Sequence, residues 1–245
     1  MDPLSQGIVG SVAAQQKSSK EKILLITIIG FLSGMAPDLD VFIRSSHDPL
    51  LAIEFHRQFT HSLIFIPFGG FICGTFFYHV LTKRKGMSIK ETYFYCTLAY
   101  ASHGILDACT SYGTQLFWPF NDVRVAWNTI SIIDPIFTIT LFTLVFMSIF
   151  RKKVLFARIA LIWVITYMSI GLIQHNRAEK VGLLNADSRG HIPARIVVKP
   201  SLANLLVWKV IYEADEKYYV DAVKVGFNTK VIKGASIDKL NVKNS

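Results

Sequence analysis

The chain reads as a mainly α protein, a polytopic helical membrane domain of about four to five spanning helices followed by a small β-rich extramembrane domain. Three observations predict this class. Half of the 245 residues are apolar and the mean hydropathy is positive, a balance that soluble globules seldom show. The apolar runs at Ile23–Ala36, His61–Thr82, Thr92–Thr110, Asp134–Phe150 and Val154–Gln174 are continuous, and the last four approach or exceed a bilayer-crossing length. Barrel strands would instead alternate in short segments broken by turns. After Gln174 the pattern changes to short stretches rich in Val, Ile, Tyr and Trp, which divides the chain into residues 1–175 and 176–245.

The elements follow in order. Residues 3–16 carry Gly7, Gly10, Ser11 and Ala14 as a small face suited to close helix packing. They are too few to span, so this helix is expected in-plane or re-entrant, and Ile23–Ala36 is also short. Pro37 disfavours helix just before it, which places Asp38 and Asp40 in an extended turn. Thr60 is placed to cap a helix beginning at His61. Ser88 and Glu91 form a capping box for the next helix, and Asp134-Pro135 supplies a cap and a first-turn proline for the one after it. Arg195–Lys199, Leu205–Glu213 and Lys217–Val225 read as strands, with a hairpin at Ala214-Asp215-Glu216. The final twenty residues, with Lys230, Lys233, Lys239 and Lys243, are expected to be loosely ordered. Cys73, Cys96 and Cys109 lie inside apolar runs without paired spacing and read as small buried hydrophobes. The polar lead before Ile23 lacks the cleavage pattern of a removed signal peptide.

The formal charge of +9 invites a nucleic-acid partner, but the basic residues fall between apolar runs. They cluster at Lys17, Lys20 and Lys22, at Lys83, Arg84, Lys85 and Lys90, and at Arg151, Lys152, Lys153 and Arg158. Clusters so placed set topology and stay cytoplasmic, so no nucleic-acid partner is expected. The connections 37–60 and 111–133 then lie outside, as does the tail beyond His175. This puts Asp38, Asp40, His56, His61, His103 and Asp107 all at outer helix ends, where they can converge. On opposite faces, about 30 Å of hydrocarbon would part them.

Ionisable groups at a bilayer persist mainly where they bind an ion, a proton or a substrate. His103 and Asp107, four apart on a helix, share one face and can ligate one ion, although a plain His–Asp hydrogen bond explains the pair equally well. Asp38 and Asp40 taken alone fit a solvated loop. His56 and His61 would point about 140° apart on one helix, and meet only if His56 lies on the preceding loop. The joint pattern decides, because three of the seven histidines fall in these clusters on one inferred side. Nitrogen and oxygen donors without thiolates suit a divalent transition metal, zinc first with manganese and iron as alternatives, and bridging carboxylates suit one or two ions. Arg57 beside His56 is a candidate phosphate partner, with interfacial snorkelling as the plain alternative. Asp134 and His175 are further candidates that capping and a helix-end position already explain. Tyr112–Phe120, with Gly113, Trp118 and Pro119, reads as an interfacial aromatic loop that anchors at headgroups or walls the site.

At these residues the chain resembles the family of bacterial inner-membrane-associated, metal-dependent hydrolases named for a LexA-regulated member. The resemblance rests on Met1–Gly7, Ala36-Pro-Asp-Leu-Asp40, His56-Arg-Gln-Phe-Thr-His-Ser62 and Ser102–Thr110 running on to Gly113 and Trp118-Pro119. It covers about half the chain, and beyond Gln174 it is limited to Pro200, Asn204 and Trp208. It implies metal binding by Asp38, Asp40, His56, His61, His103 and Asp107, and hydrolase activity without a specified substrate. The donor types are also similar to those of the helical zinc phospholipase C and nuclease group.

The expected function is phosphoester hydrolysis by metal-activated water at the outer face of the bacterial inner membrane, with the bilayer as partner and a lipid-linked substrate favoured by the aromatic surroundings. The alternatives are an ion or proton transporter relaying through His103 and Asp107, or a membrane-anchored binding module built on the C-terminal domain.

Overall fold

The computed structural model of the chain describes residues 1–45, 47–48 and 50–240. Its helices are α1 (Pro3–Gln15), α2 (Ile23–Met35), α3 (Leu51–Phe55), α4 (Ile66–Phe77), α5 (Ile89–Ala108), α6 (Pro135–Arg151) and α7 (Leu155–Asp187). Strands β1 (Arg195–Pro200), β2 (Val207–Ala214), β3 (Lys217–Val225), β4 (Thr229–Ile232) and β5 (Ser236–Asp238) follow.

α1 starts sharply because Asp2 accepts from the Ser5 N–H at 2.9 Å and Pro3 occupies the first turn. It packs antiparallel on α2 along the small face that the sequence marks. A Cβ at Gly10 would stand 2.6 Å from the Gly30 carbonyl oxygen and 2.8 Å from the Gly34 Cα. Ser11 reaches the Thr27 carbonyl at 3.1 Å and Gln15 the Thr27 hydroxyl at 2.6 Å, so the hairpin is bonded as well as packed.

α5 lies against this hairpin and α4, with its capping box at Ser88 and Glu91 formed as expected. Lys22 reaches Gly86 and Glu91 at 3.3 Å, and Gln16 reaches the Ala157 carbonyl at 3.0 Å. The N-termini of α2, α5 and α7 therefore share one end of the bundle, together with the basic residues beside them. The opposite end gathers the C-termini of α2 and α5 and the starts of α1, α4 and α6.

Among the described residues three stretches are long and apolar enough to cross a membrane, Ile23–Phe42, Leu63–Lys85 and Leu155–Asp187, against the four to five expected. α6 is apolar but shorter, and α5 is diluted by the polar residues it brings to the site. Two local expectations are corrected. Ala36–Phe42, expected to be extended, continues α2 as a 3₁₀ helix, because Pro37 sits in its first turn where a missing N–H costs nothing. The helix expected from His61 begins instead at Ile66, after two 3₁₀ turns at Phe59–His61 and Leu63–Phe65.

α7 runs through the boundary expected at 175/176, because Ala178, Val181 and Ala186 give its far half an apolar face that the sheet covers. The sheet is antiparallel in the order β1-β2-β3-β4, with β5 also paired to β3. The β2–β3 hairpin turns through Asp215 and Glu216, both at positive φ (49° and 58°), the conformation of a tight two-residue turn. β4 and β5 occupy part of the tail expected to be loose, since β3 offers them both a pairing edge and apolar cover. Lys243 lies outside the described residues.

Gly10→Ala is expected to destabilise the helical domain by about 1–3 kcal/mol, because the hairpin must part to admit the methyl group. Thermal unfolding in detergent, followed by loss of helical circular dichroism, measures it. An unchanged midpoint would mean that α1 and α2 do not touch here.

Candidate metal centre

The 3₁₀ geometry of Ala36–Phe42 separates its two carboxylates. With three residues per turn, positions two apart face different ways. Asp38 turns toward α5 and Asp40 toward the segment 56–61. Asp40 is saturated: its Oδ1 meets His56 Nδ1 at 2.7 Å, and its Oδ2 accepts the Arg57 N–H at 3.0 Å and the Thr60 hydroxyl at 2.8 Å. Arg57 has φ 65°, and this left-handed residue bends the chain back so that His56 and His61 flank the same carboxylate.

Tautomers follow from the partners. His103 Nδ1 lies 2.6 Å from the Gly34 carbonyl oxygen, which only accepts, so Nδ1 carries the proton and the neutral ring keeps a lone pair on Nε2. The Thr60 hydroxyl donates its hydrogen bond to Asp40, so its oxygen accepts from His61 Nδ1 at 2.9 Å. In its neutral form His61 likewise keeps a lone pair on Nε2. The two Nε2 atoms then face each other at 3.0 Å with no proton assigned between them.

Two carboxylate oxygens complete the group. Asp38 Oδ1 is 3.4 Å from His61 Nε2 and 3.3 Å from His103 Nε2. Asp107 Oδ2 is 3.4 Å from His61 Nε2 and 4.0 Å from His103 Nε2. The other Asp107 oxygen accepts from Gln6 Nε2 at 2.7 Å and from the Met1 amino group, which aims Oδ2 inward. Among the described residues Oδ2 finds no well-formed hydrogen bond although it is wholly buried.

This donor set fits a metal ion. Four ligands about 2.0–2.1 Å from a tetrahedral centre stand roughly 3.3–3.4 Å apart, and the five edges above scatter around that value. A single proton would serve one edge, whereas a cation serves all. The far ring nitrogens, held by a carbonyl and by a Thr–Asp relay, match the outer support that ligating imidazoles receive. Asp38, Asp40 and His56 form a second, more open group within 4.8 Å, sharing Asp38 with the first.

Arg57 closes one side. Its Nε is 3.2 Å from Asp107 Oδ2, its guanidinium lies 5.0 Å from the Tyr112 ring centre, and its buried Nη1 has no hydrogen-bond partner among the described residues. The loop after α5 is tied to this segment by Gln115 N–H to the Arg57 carbonyl and Leu63 N–H to the Leu116 carbonyl, each 3.0 Å.

The structure thus brings together Asp38, His61, His103 and Asp107, with Asp40, His56 and Arg57 beside them. It does not bring in the two further candidates. Asp134 caps α6 through the Phe137 N–H (3.2 Å) and accepts from the Tyr167 hydroxyl (2.8 Å), while His175 packs edge-on against Trp208. Sequence reasoning missed Gln6, the Gly34 carbonyl and Gly104. A Cβ at Gly104 would lie 2.2 Å from the His61 carbonyl oxygen, so this glycine lets the His61 segment settle against α5. A glycine between His103 and Asp107 in a helix was the available signal.

Fold and site together define a helical membrane protein with a buried Asp/His cluster fit to hold a metal ion. The model of the YdjM inner membrane protein family matches residues 1–178, and the chain belongs to that family and to the inner membrane. The match ends inside α7, short of the sheet. No curated protein and no solved structure matches the chain.

A divalent ion should raise the unfolding midpoint of metal-stripped protein, since at a hundred times its Kd a ligand stabilises by about 2.7 kcal/mol. His61→Ala should abolish the shift. Titration of stripped protein with zinc, manganese and iron checks this, and no shift with any of them would exclude a metal centre.

Proposed function

We propose that the chain is a multi-pass inner-membrane hydrolase that uses one divalent transition metal, zinc first, to cleave a phosphoester of a lipid-linked substrate at the outer face. The observation that carries this reading is the convergence of His61 Nε2, His103 Nε2, Asp38 Oδ1 and Asp107 Oδ2 within 4.8 Å of one another, with the separations that involve the two imidazoles between 3.0 and 4.0 Å. With His61, His103 and Asp107 as the sealed ligands and the partly exposed Asp38 yielding a position to water, the residues would hold an ion that could supply Lewis acidity and bring that water's pKa toward neutrality.

The chain's own groups do the rest. Side chains of His61, His103 and Asp107 are sealed, while that of Asp38 is 23% exposed, so substrate approaches from the Asp38 side. Arg57 offers its unpaired Nη1 to a phosphoryl oxygen, a donor that costs energy while unmatched. His56, held at Nδ1 by Asp40 and one-third exposed, carries protons at the open edge. Leu39, Phe42, Phe117 and Phe120 are exposed around this end of the bundle and suit a substrate that stays in the lipid.

Hydrogen bonds on both oxygens of Asp40 favour one ion over two. The orientation follows the basic residues at the opposite end, with α5 and α6 crossing beside the three long spans. A proton or cation relay is less well supported. Among the described residues the buried polar side chains of the hairpin, which include Gln6, Ser11, Gln15, Thr27 and Ser33, are none of them titratable.

Elemental analysis of purified protein is expected to find about one transition-metal ion per chain, the stoichiometry of a single tetrahedral site. His103→Ala and Asp38→Ala should each lose the metal and any phosphodiesterase activity while remaining folded. Full metal content in both would end the proposal. Arg57→Ala should keep the metal yet lose roughly 10- to 100-fold in kcat/KM toward a phosphodiester, the worth of one charged hydrogen bond. Unchanged kinetics would remove Arg57 from substrate binding.

A further inference from the structure

We infer that the bundle-facing end of the C-terminal sheet is a docking surface for the anionic headgroups of the bilayer that holds the helices. This goes beyond the hydrolase reading and stands independently of it.

The sheet is polarised in charge along its strands. At the end remote from the bundle, Glu213 holds Lys239 and Asp238 holds Lys217. At the near end, Lys199 lies directly opposite Lys209 across β1 and β2, and Lys224 directly opposite Lys230 across β3 and β4. Val207 faces Lys224 in the register of β2 and β3, which sets Lys209 and Lys224 two positions apart on adjoining strands and joins the pairs into a row. The row lies on the outward face, since Trp208, Val210, Val223 and Val225 point the other way into the core against α7. Among the described residues, none of the four lysines has a carboxylate partner. Like charges set directly opposite repel, and two such pairs side by side are accounted for by an anionic counter-surface.

The turn between β3 and β4 shows where that surface lies. Phe227 at its tip is fully exposed. Gln174 donates to the Val225 carbonyl at 2.7 Å and Arg177 to the Gly226 carbonyl at 2.9 Å, which pins the turn to α7. Those two residues mark where α7 passes from exposed Leu172 and Ile173 to polar sequence, the level of a bilayer's headgroups. An aromatic tip flanked by lysines at that depth matches anionic lipid, where each basic residue adds to the attraction.

The test places a nitroxide on Asn228→Cys in full-length protein, with protein lacking this cysteine as the labelling background. The protein is reconstituted in nanodiscs of phosphatidylcholine alone or mixed with phosphatidylglycerol. Collision with a water-soluble nickel chelate should be lost in the anionic discs and retained in the neutral ones. Changing all four lysines to glutamine should restore collision in anionic discs, and the Lys224→Gln/Lys230→Gln pair should restore part of it. Free collision in both disc types, equal protection in both, or protection that survives the four-lysine change would each overturn the inference.

Discussion

His61 and His103 bring ring nitrogens to 3.0 Å after each ring has committed its other nitrogen to a donor role, and two carboxylate oxygens crowd the same point. In water such a meeting would dissolve into separate hydration shells. Inside a bundle the groups cannot leave, and desolvation raises the cost of every unmatched lone pair. A central cation would convert the repulsion among lone pairs into attraction to one charge. The supports of this cluster, the Gly34 carbonyl, the Thr60–Asp40 relay and the Gln6 amide, then make sense as parts that aim lone pairs inward.

That aim depends on backbones approaching closely. Gly34 serves twice: without a Cβ it lets α1 sit within contact of α2, and its carbonyl fixes the tautomer of His103. The same approach carries Gln6 to Asp107. Gly104 does the corresponding work on α5 by admitting the His61 carbonyl. The Tyr100 hydroxyl, donating to the Thr60 carbonyl at 2.8 Å, holds that segment in place. Packing of small residues and the geometry of the Asp/His cluster are one constraint here, so α1 acts as the floor of the cluster rather than as an accessory at the membrane surface.

Features set by short sequence spacing were readable from the sequence. The His103–Asp107 pair shares a helix face because four residues nearly complete a turn. The capping box at Ser88, the Asp134 cap and the strand limits follow from chemistry within a few residues. What escaped prediction depends on three-dimensional placement. Whether Asp38 and Asp40 act together or apart turns on a 3₁₀ helix that only α2's continuation past Pro37 allows. The meeting of His56 and His61 turns on one left-handed residue, Arg57, whose type gives no warning of positive φ. Asp134 and His175 looked eligible by charge and by inferred side, yet Tyr167 and Trp208 had already engaged them.

Charge divides the molecule along its long axis. The basic residues at the helix turns remote from the site account for the proposed orientation, because short loops near spans carry that bias. The lysines of the sheet belong to a folded domain at the other end, and domains of that kind cross membranes largely regardless of charge. Topology therefore leaves Lys199, Lys209, Lys224 and Lys230 unexplained, and burial does not explain them either, since they lie on the outward face. Held down on headgroups by that row and by Phe227, the sheet would stand beside the loop that follows α5. Lys199 and Lys209 already share a cleft there with Ser111 and Ser131.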